Sequence, residues 1–371
     1  MNFLKKLITS YKDKFQKPEI LLEEESPTCP ITAIVEQDHR VVYFYLYASQ
    51  NSNFGMKSCW VRNLVEAPDE SEIETMLNGK APLLPKQFCK FPNGQKPLDA
   101  YDLEIIWTEE GDAAALKYQG EIVAIIPSWS GEGDFHGYAR DVIGQSNLAW
   151  EIGTSNVFLE RIEKAKEFWQ SWGDDLNPFQ IHQPQILKIY EETFGKQDTY
   201  YAIDGGKWPP KGMYLRKGTS KNVFATVGVS LVPMPSVEMY FEKSHEVDRI
   251  ELGLILNSTI SESDVQETAN YISGQSSLPW NNITFLGEGH TINFKPIQNS
   301  IFNAVILTNK LDVLPKPELE DYRSSKVNFL WMIPISEKER IFVMENEKSD
   351  IIHRLNKIGN EVFSLDREEV V

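Results

Sequence analysis

Cysteine is scarce. The 371 residues hold only Cys29, Cys59 and Cys89, an odd number with no Cys-x-x-Cys pair. That argues against a disulfide framework or a structural zinc site and fits a reducing cytosol, so a cytoplasmic protein is expected. The six histidines never fall at His-x-x-x-His or His-Glu-x-x-His, the spacings that put two metal ligands on one helical face. Neither a metal nor a cofactor is expected. No apolar run approaches the roughly 18–20 residues that cross a bilayer, so membrane insertion is not expected. The opening residues lack the unbroken apolar core of a secretory signal. Instead, Phe3, Leu4, Leu7, Ile8, Tyr11 and Phe15 recur at helical spacing, which predicts an amphipathic first helix docked on the core, with a membrane-surface anchor as the alternative. Positive charge is also in short supply, with 37 Lys+Arg against 54 Asp+Glu and a formal charge of −17. Nucleic-acid binding needs a basic footprint, and this chain has none.

What is present is the composition of a folded protein. Hydrophobic residues make up 41%, aromatics 11% and charged residues 25%, enough to bury sizeable cores. The length favours two domains at about 150 residues each. Residues 1–180 carry 17 basic and 28 acidic side chains and the remainder 20 and 26, so the acidity is no mere tail.

The patterning predicts strands at 31–35, 41–47 and 58–64, a short helix at 71–77, and an antiparallel meander at 103–108, 113–118 and 121–126. From 156 to 172 the period turns helical, with Phe158, Ile162, Ala165 and Phe168/Trp169 on one stripe. Gly173–Pro178 reads as a boundary, dividing the chain into residues 1–178 and 185–371, with a helix at 185–194 opening the second part. There the strand candidates are 200–203, 222–231, 236–241, 250–256, 283–286, 291–294, 304–308 and 327–333. Ser263 with Gln266 and Ser336 with Glu339 read as capping boxes, and 348–357 as a last helix. Grouped strands without regular βαβ alternation indicate an α+β fold with two domains, each a mainly antiparallel or mixed sheet packed with helices.

The case for catalysis is poor. Ser128–His136 is glycine-rich but has no Gly-Lys-Ser/Thr, and Glu132 and Asp134 would repel phosphate. It reads as a shaped surface loop, with a ligand site at Trp129, Asp134, His136 and Arg140 as the alternative. There is no Gly-x-Ser-x-Gly elbow. Cys59 and Cys89 lie in or beside apolar segments, as buried structural thiols do. Glu288-Gly-His290 could be an acid/base pair, but its glycines more readily make a tight turn between strands.

The second half resembles a known family. In order stand Val223-Phe-Ala-Thr-Val-Gly-Val-Ser-Leu231, Asp248-Arg-Ile-Glu-Leu-Gly-Leu-Ile-Leu256 and Ile283-Thr-Phe-Leu-Gly-Glu-Gly-His-Thr-Ile292. Val327-Asn-Phe-Leu-Trp-Met-Ile-Pro-Ile-Ser-Glu-Lys-Glu339 and Leu365-Asp-Arg367 follow. Together, over about residues 189–367, these are similar to the suppressor-of-fused domain family, in its bacterial type. The first half matches no family we recognise.

The resemblance implies a non-enzymatic protein-binding module. In the animal member a partner peptide is held as an added strand, and bacterial members are similar to immunity proteins that neutralise toxins. The expected partner is thus another protein, a basic toxin being one candidate that an acidic surface would attract. The alternatives are a two-domain adaptor, or a small-ligand protein or enzyme using the Trp129–Arg140 loop. Strand edges are candidate binding surfaces. So are the helix-start acids Glu262, Asp264, Glu337 and Glu339, and the loop residues Trp129, Asp134 and Trp280.

Overall fold

Alternating β-branched and aromatic residues pair into sheets wherever one face can be buried, and three such sheets organise this chain. The computed structural model describes residues 18–371 except 50, 52, 71–78, 154–156, 174, 258–259 and 296–299. The expected helices at 3–15 and 71–77 lie outside the described residues. The chain falls into two compact units, Met1–Trp169 and Gln170–Val371. Each combines mainly antiparallel sheet with helices, the α+β class.

In the first unit β1 (Glu19–Glu25), β2 (Thr32–Gln37), β3 (Val41–Tyr47) and β4 (Met56–Asn63) form a four-stranded antiparallel sheet in chain order. The β2–β3 turn is built by Asp38, whose Oδ1 accepts from the Arg40 and Val41 amides at 2.6 and 2.8 Å. A second sheet joins β5 (Leu103–Trp107), β6 (Ala114–Tyr118) and β7 (Glu121–Ile126) as the expected meander. To these are added β8 (Tyr138–Ala139) and β9 (Trp150–Glu151), which pair in parallel. Just before β8 the chain runs against β4. A side chain on Gly137 would meet the Ile125 carbonyl at 2.6 Å and the Cys59 sulfur at 3.0 Å, so only glycine fits. Helix α1 (Val157–Ser171) buries the expected stripe of Phe158, Ile162, Ala165 and Phe168, the first two packing with Ile106, Ala115 and Ile125.

The second unit opens with helix α2 (Pro178–Phe194), seven residues earlier than the periodicity suggested. The cause is local. Asn177 forms a capping box with Gln180, and Pro178 occupies the first turn, where its missing N–H costs nothing. The unit's seven-stranded sheet comprises β10 (Thr199–Ala202), β11 (Gly212–Lys217), β12 (Lys221–Val227), β13 (Arg249–Asn257), β14 (Thr291–Asn293), β15 (Phe302–Thr308) and β16 (Val327–Ser336). Their spatial order is β10-β11-β12-β13-β16-β15-β14, antiparallel except for the central β13–β16 pair. β13 is buried along eight of its nine residues, as a strand covered on both faces must be. Helices α3 (Glu262–Gln275), α4 (Leu278–Asn282), α5 (Glu337–Glu345) and α6 (Lys348–Ile358) complete the unit. Tyr190 and Phe194 of α2 meet Tyr214, Phe329 and Trp331 in an aromatic core, which α5 and α6 extend with Val343, Ile351 and Leu355.

Two expected strands are corrected. Residues 236–241 contain a 3-10 turn, because Ser236 adopts φ +64° and breaks any extended run. Residues 283–286 are not a strand either: Ile283 sits at φ +50° as the left-handed cap of α4, from which its amide returns to the Trp280 carbonyl. The cap of α3 is Ser261 with Asp264, two residues before the expected Ser263 with Gln266.

Candidate interaction surfaces

The residues of the sequence motifs converge inside the second unit rather than on its surface. Glu251, on β13, is fully buried and accepts four hydrogen bonds. Thr226 Oγ1 donates at 2.5 Å, Ser230 Oγ at 2.7 Å, and the Gly228 and Ser230 amides at 2.9 and 3.0 Å. Gly228 makes this cradle possible. It stands at φ +92°, and a side chain there would strike the Phe179 ring. Arg249 clamps the same turn from below, donating to the Ser230 and Leu231 carbonyls. Burial outweighs the four donors and pushes the Glu251 carboxyl up to about 7. Lys211, buried over the Trp280 ring, donates to the Ser276 carbonyl and Ser277 hydroxyl, and burial pulls it down to about 8.

Two of the expected surface residues are internal. Trp280 is 4% exposed, with its Nε1 donating to the Pro233 carbonyl, so it is core rather than an anchor for a partner. Glu339 is 0% exposed. Its carboxylate holds Arg367 in a bidentate pair at 2.7 and 2.8 Å and accepts the Ser336 and Val370 amides. The Ser336–Glu339 capping box is present, and the same carboxylate fastens the C-terminal motif to it. Glu262 and Glu337 are exposed and Asp264 is half-buried, and all three are locally engaged. Glu262 pairs with Lys217 at 2.6 Å, Asp264 caps α3 through Ser261, and Glu337 lies 3.7 Å from Arg340.

The Trp129–Arg140 loop does not gather its residues into one site. Trp129 packs edge-on against Phe158, and Asp134 is exposed at φ +62°. Arg140 turns to Glu121 and Asp141 instead. The loop is braced from beneath by the buried Lys57, which donates to the Ser128 and Ser130 carbonyls. No sequence signal marks that lysine, because only the fold places β4 under the loop. Glu288 and His290 likewise part company. Glu288 accepts from the Thr308 hydroxyl and the Asn309 amide, while His290 packs on Phe285, its imidazole pushed below its ordinary value by burial and by Lys348. Among the described residues no cluster of His, Cys, Asp or Glu could hold a metal ion. No helix among them is long and apolar enough to cross a membrane.

All three cysteines are buried, and burial raises each thiol above its ordinary value. Native protein should accordingly leave Ellman's reagent unreacted at pH 8, all three thiols appearing only on denaturation. Prompt labelling of any one of them in native protein would contradict this burial.

Among the described residues, a groove and an edge strand are open surface features. A groove of about 860 Å³ lies between α5, α6 and residues 368–370, with Arg354 stacked on Phe342 in its wall. Its lining mixes Asp350, Glu361 and Glu368 with His353, Arg354 and Lys357, so it presents no single sign of charge. The edge strand is β1, which among the described residues pairs only with β2. Four of its seven residues are glutamates. Glu24 accepts from Trp107 Nε1 at 2.9 Å, whereas Glu19, Glu23 and Glu25 are exposed and make no side-chain bond among the described residues.

Comparison with known proteins places the buried network. The family model for suppressor of fused protein (SUFU) matches residues 213–368, which hold Glu251, Glu339 and Arg367. The second half carries a suppressor of fused domain. Solved structures similar to the chain include a SUFU homologue from Neisseria gonorrhoeae, 15% identical, with 52% of this chain and 97% of that one covered and a TM-score of 0.37. Another is the Sufu–Fu complex, at 13% identity, 51% and 91% coverage and a TM-score of 0.39. No curated protein matches. The suppressor of fused domain thus supplies the sheet β11–β16 and the network within it.

Proposed function

We propose that the protein is a non-enzymatic protein-binding module, an immunity factor or related regulator that neutralises a basic partner protein. The suppressor of fused domain supports the binding role, and the observation that carries the charge argument is β1. Its outer side has no partner strand among the described residues, and three exposed glutamates on it lack any counter-charge. Unpaired edges invite another strand, and like charge along one protects against a second copy of itself. The same charge favours a basic segment and speeds its encounter. Within the same unit, Asp134 is a further exposed acid and Trp129 a half-buried aromatic; in the second unit Glu262, Asp264 and Glu337 are acids at helix starts. The Sufu–Fu complex is a precedent for a protein partner in the name of that structure alone.

The test is affinity capture from the native cell with the intact chain, mass spectrometry of what is retained, and measurement of affinity against salt. A basic protein should be held at low ionic strength. It should be lost as screening shortens to about 3 Å at 1 M salt and be weakened by the triple change Glu19→Gln, Glu23→Gln, Glu25→Gln. Binding that ignores both salt and the triple change, or turnover of a small compound by the purified chain, would overturn the proposal.

A further inference from the structure

We propose that the crevice where β15 leaves β16 is a binding site for a small organic anion, a carboxylate carried on an aromatic or branched apolar body. The register creates the space. β16 pairs with β13 from Val327 onward, but its pairing with β15 starts only at Trp331, opposite Thr308. After Thr308 the chain departs into the 309–326 loop, so residues 327–330 have no strand on the β15 side. The resulting crevice measures about 380 Å³, within the range of small-molecule sites.

Its floor and rim differ in chemistry. Val327, Phe329 and Trp331 alternate along β16 and so share one face, and Pro315, Pro317 and Leu319 wall them from the loop. The wall is held in place: Trp331 Nε1 donates to the Pro315 carbonyl at 3.0 Å, and two prolines limit the loop's freedom. The rim carries Lys316 and Lys326, both exposed and without a side-chain bond or ion pair among the described residues. Glu318 is the one acid in the lining, and Asn309 and Asn328 are its neutral polar groups. In a chain of net charge −17, an apolar floor under two uncommitted ammonium groups selects against cations and for an amphipathic anion. Nearby, Lys326 is fixed at the mouth by its amide, which donates to the His245 carbonyl.

The probe is 2-naphthoate, with the neutral 2-naphthalenemethanol as its counterpart, titrated against the full chain by ligand-observed NMR. Naphthoate should saturate one site with a dissociation constant at or below about 1 mM. The alcohol should bind about tenfold more weakly, a difference of about 1.4 kcal/mol. The double reversal Lys316→Glu/Lys326→Glu should weaken naphthoate at least as much, and Lys316→Gln/Lys326→Gln should weaken it less, with circular dichroism unchanged in both. Absence of saturation, equal binding of the alcohol, or undiminished binding by the folded charge-reversed chain would overturn the proposal.

Discussion

Replacing Arg367 by alanine should destabilise the second unit by about 3–5 kcal/mol, because it strands the Glu339 carboxylate in the core. Both side chains are buried, and the guanidinium spans several partners. Besides Glu339 it donates to the Pro334 and Glu368 carbonyls and lies over the Phe302 ring. The carboxylate in turn holds the start of α5 and the Val370 amide, so the loss is felt at both ends of the motif. Glu339→Ala should cost a similar amount. The double change Glu339→Met/Arg367→Met should recover part of the loss, since an apolar pair leaves no unpaired charge. Urea unfolding followed in the second unit measures all three, and a loss below about 1 kcal/mol for Arg367→Ala would refute the assignment.

The second large effect is on pH dependence. Glu251 titrates near 7 in the fold, against 4.5 for an ordinary glutamate. Between those values the unfolded chain releases its proton first, so this group makes the fold less stable as pH rises from about 4.5 to about 7. Lys211 is displaced the other way, to about 8 from 10.5, so its contribution improves as pH rises between those values. Together they predict a stability minimum at about pH 7–8. Glu251→Gln should abolish the first limb, and the wild-type minus variant difference should change by on the order of 3 kcal/mol between pH 4.5 and 7.5. The protonated acid needs an acceptor, and the Thr226 hydroxyl can serve while also accepting the Leu252 amide. A pH-independent difference between wild type and variant would show that Glu251 keeps one protonation state throughout.

Much of the sheet was legible because the relevant information is local. The runs at 41–47 and 121–126 are rich in β-branched or aromatic residues and that at 250–256 in leucine and isoleucine, and they form strands where expected. β1 escaped notice because glutamate disfavours strands, and only pairing with β2 draws it into the sheet. The order of the suppressor of fused motifs was readable, but their joinery was not. Glu339 looks like any acid at a helix start, and nothing near it in sequence discloses an arginine 28 residues away. Trp280 reads as a loop residue open to a partner, but Pro233 and Lys211 reach it only through the fold. The crevice beside β16 depends on where two strands stop pairing, which no single segment encodes.

The parallel pairing of β13 with β16 has a consequence for biosynthesis. The first four strands of that sheet leave the ribosome in order and can zip together as hairpins. β13, buried in the finished sheet along eight of its nine residues, then waits with one side unsatisfied until the segment beginning at Val327 has been made. A nascent chain stalled in that interval offers a sticky ribbon to its neighbours, so slow translation there should favour chaperone capture or aggregation over folding.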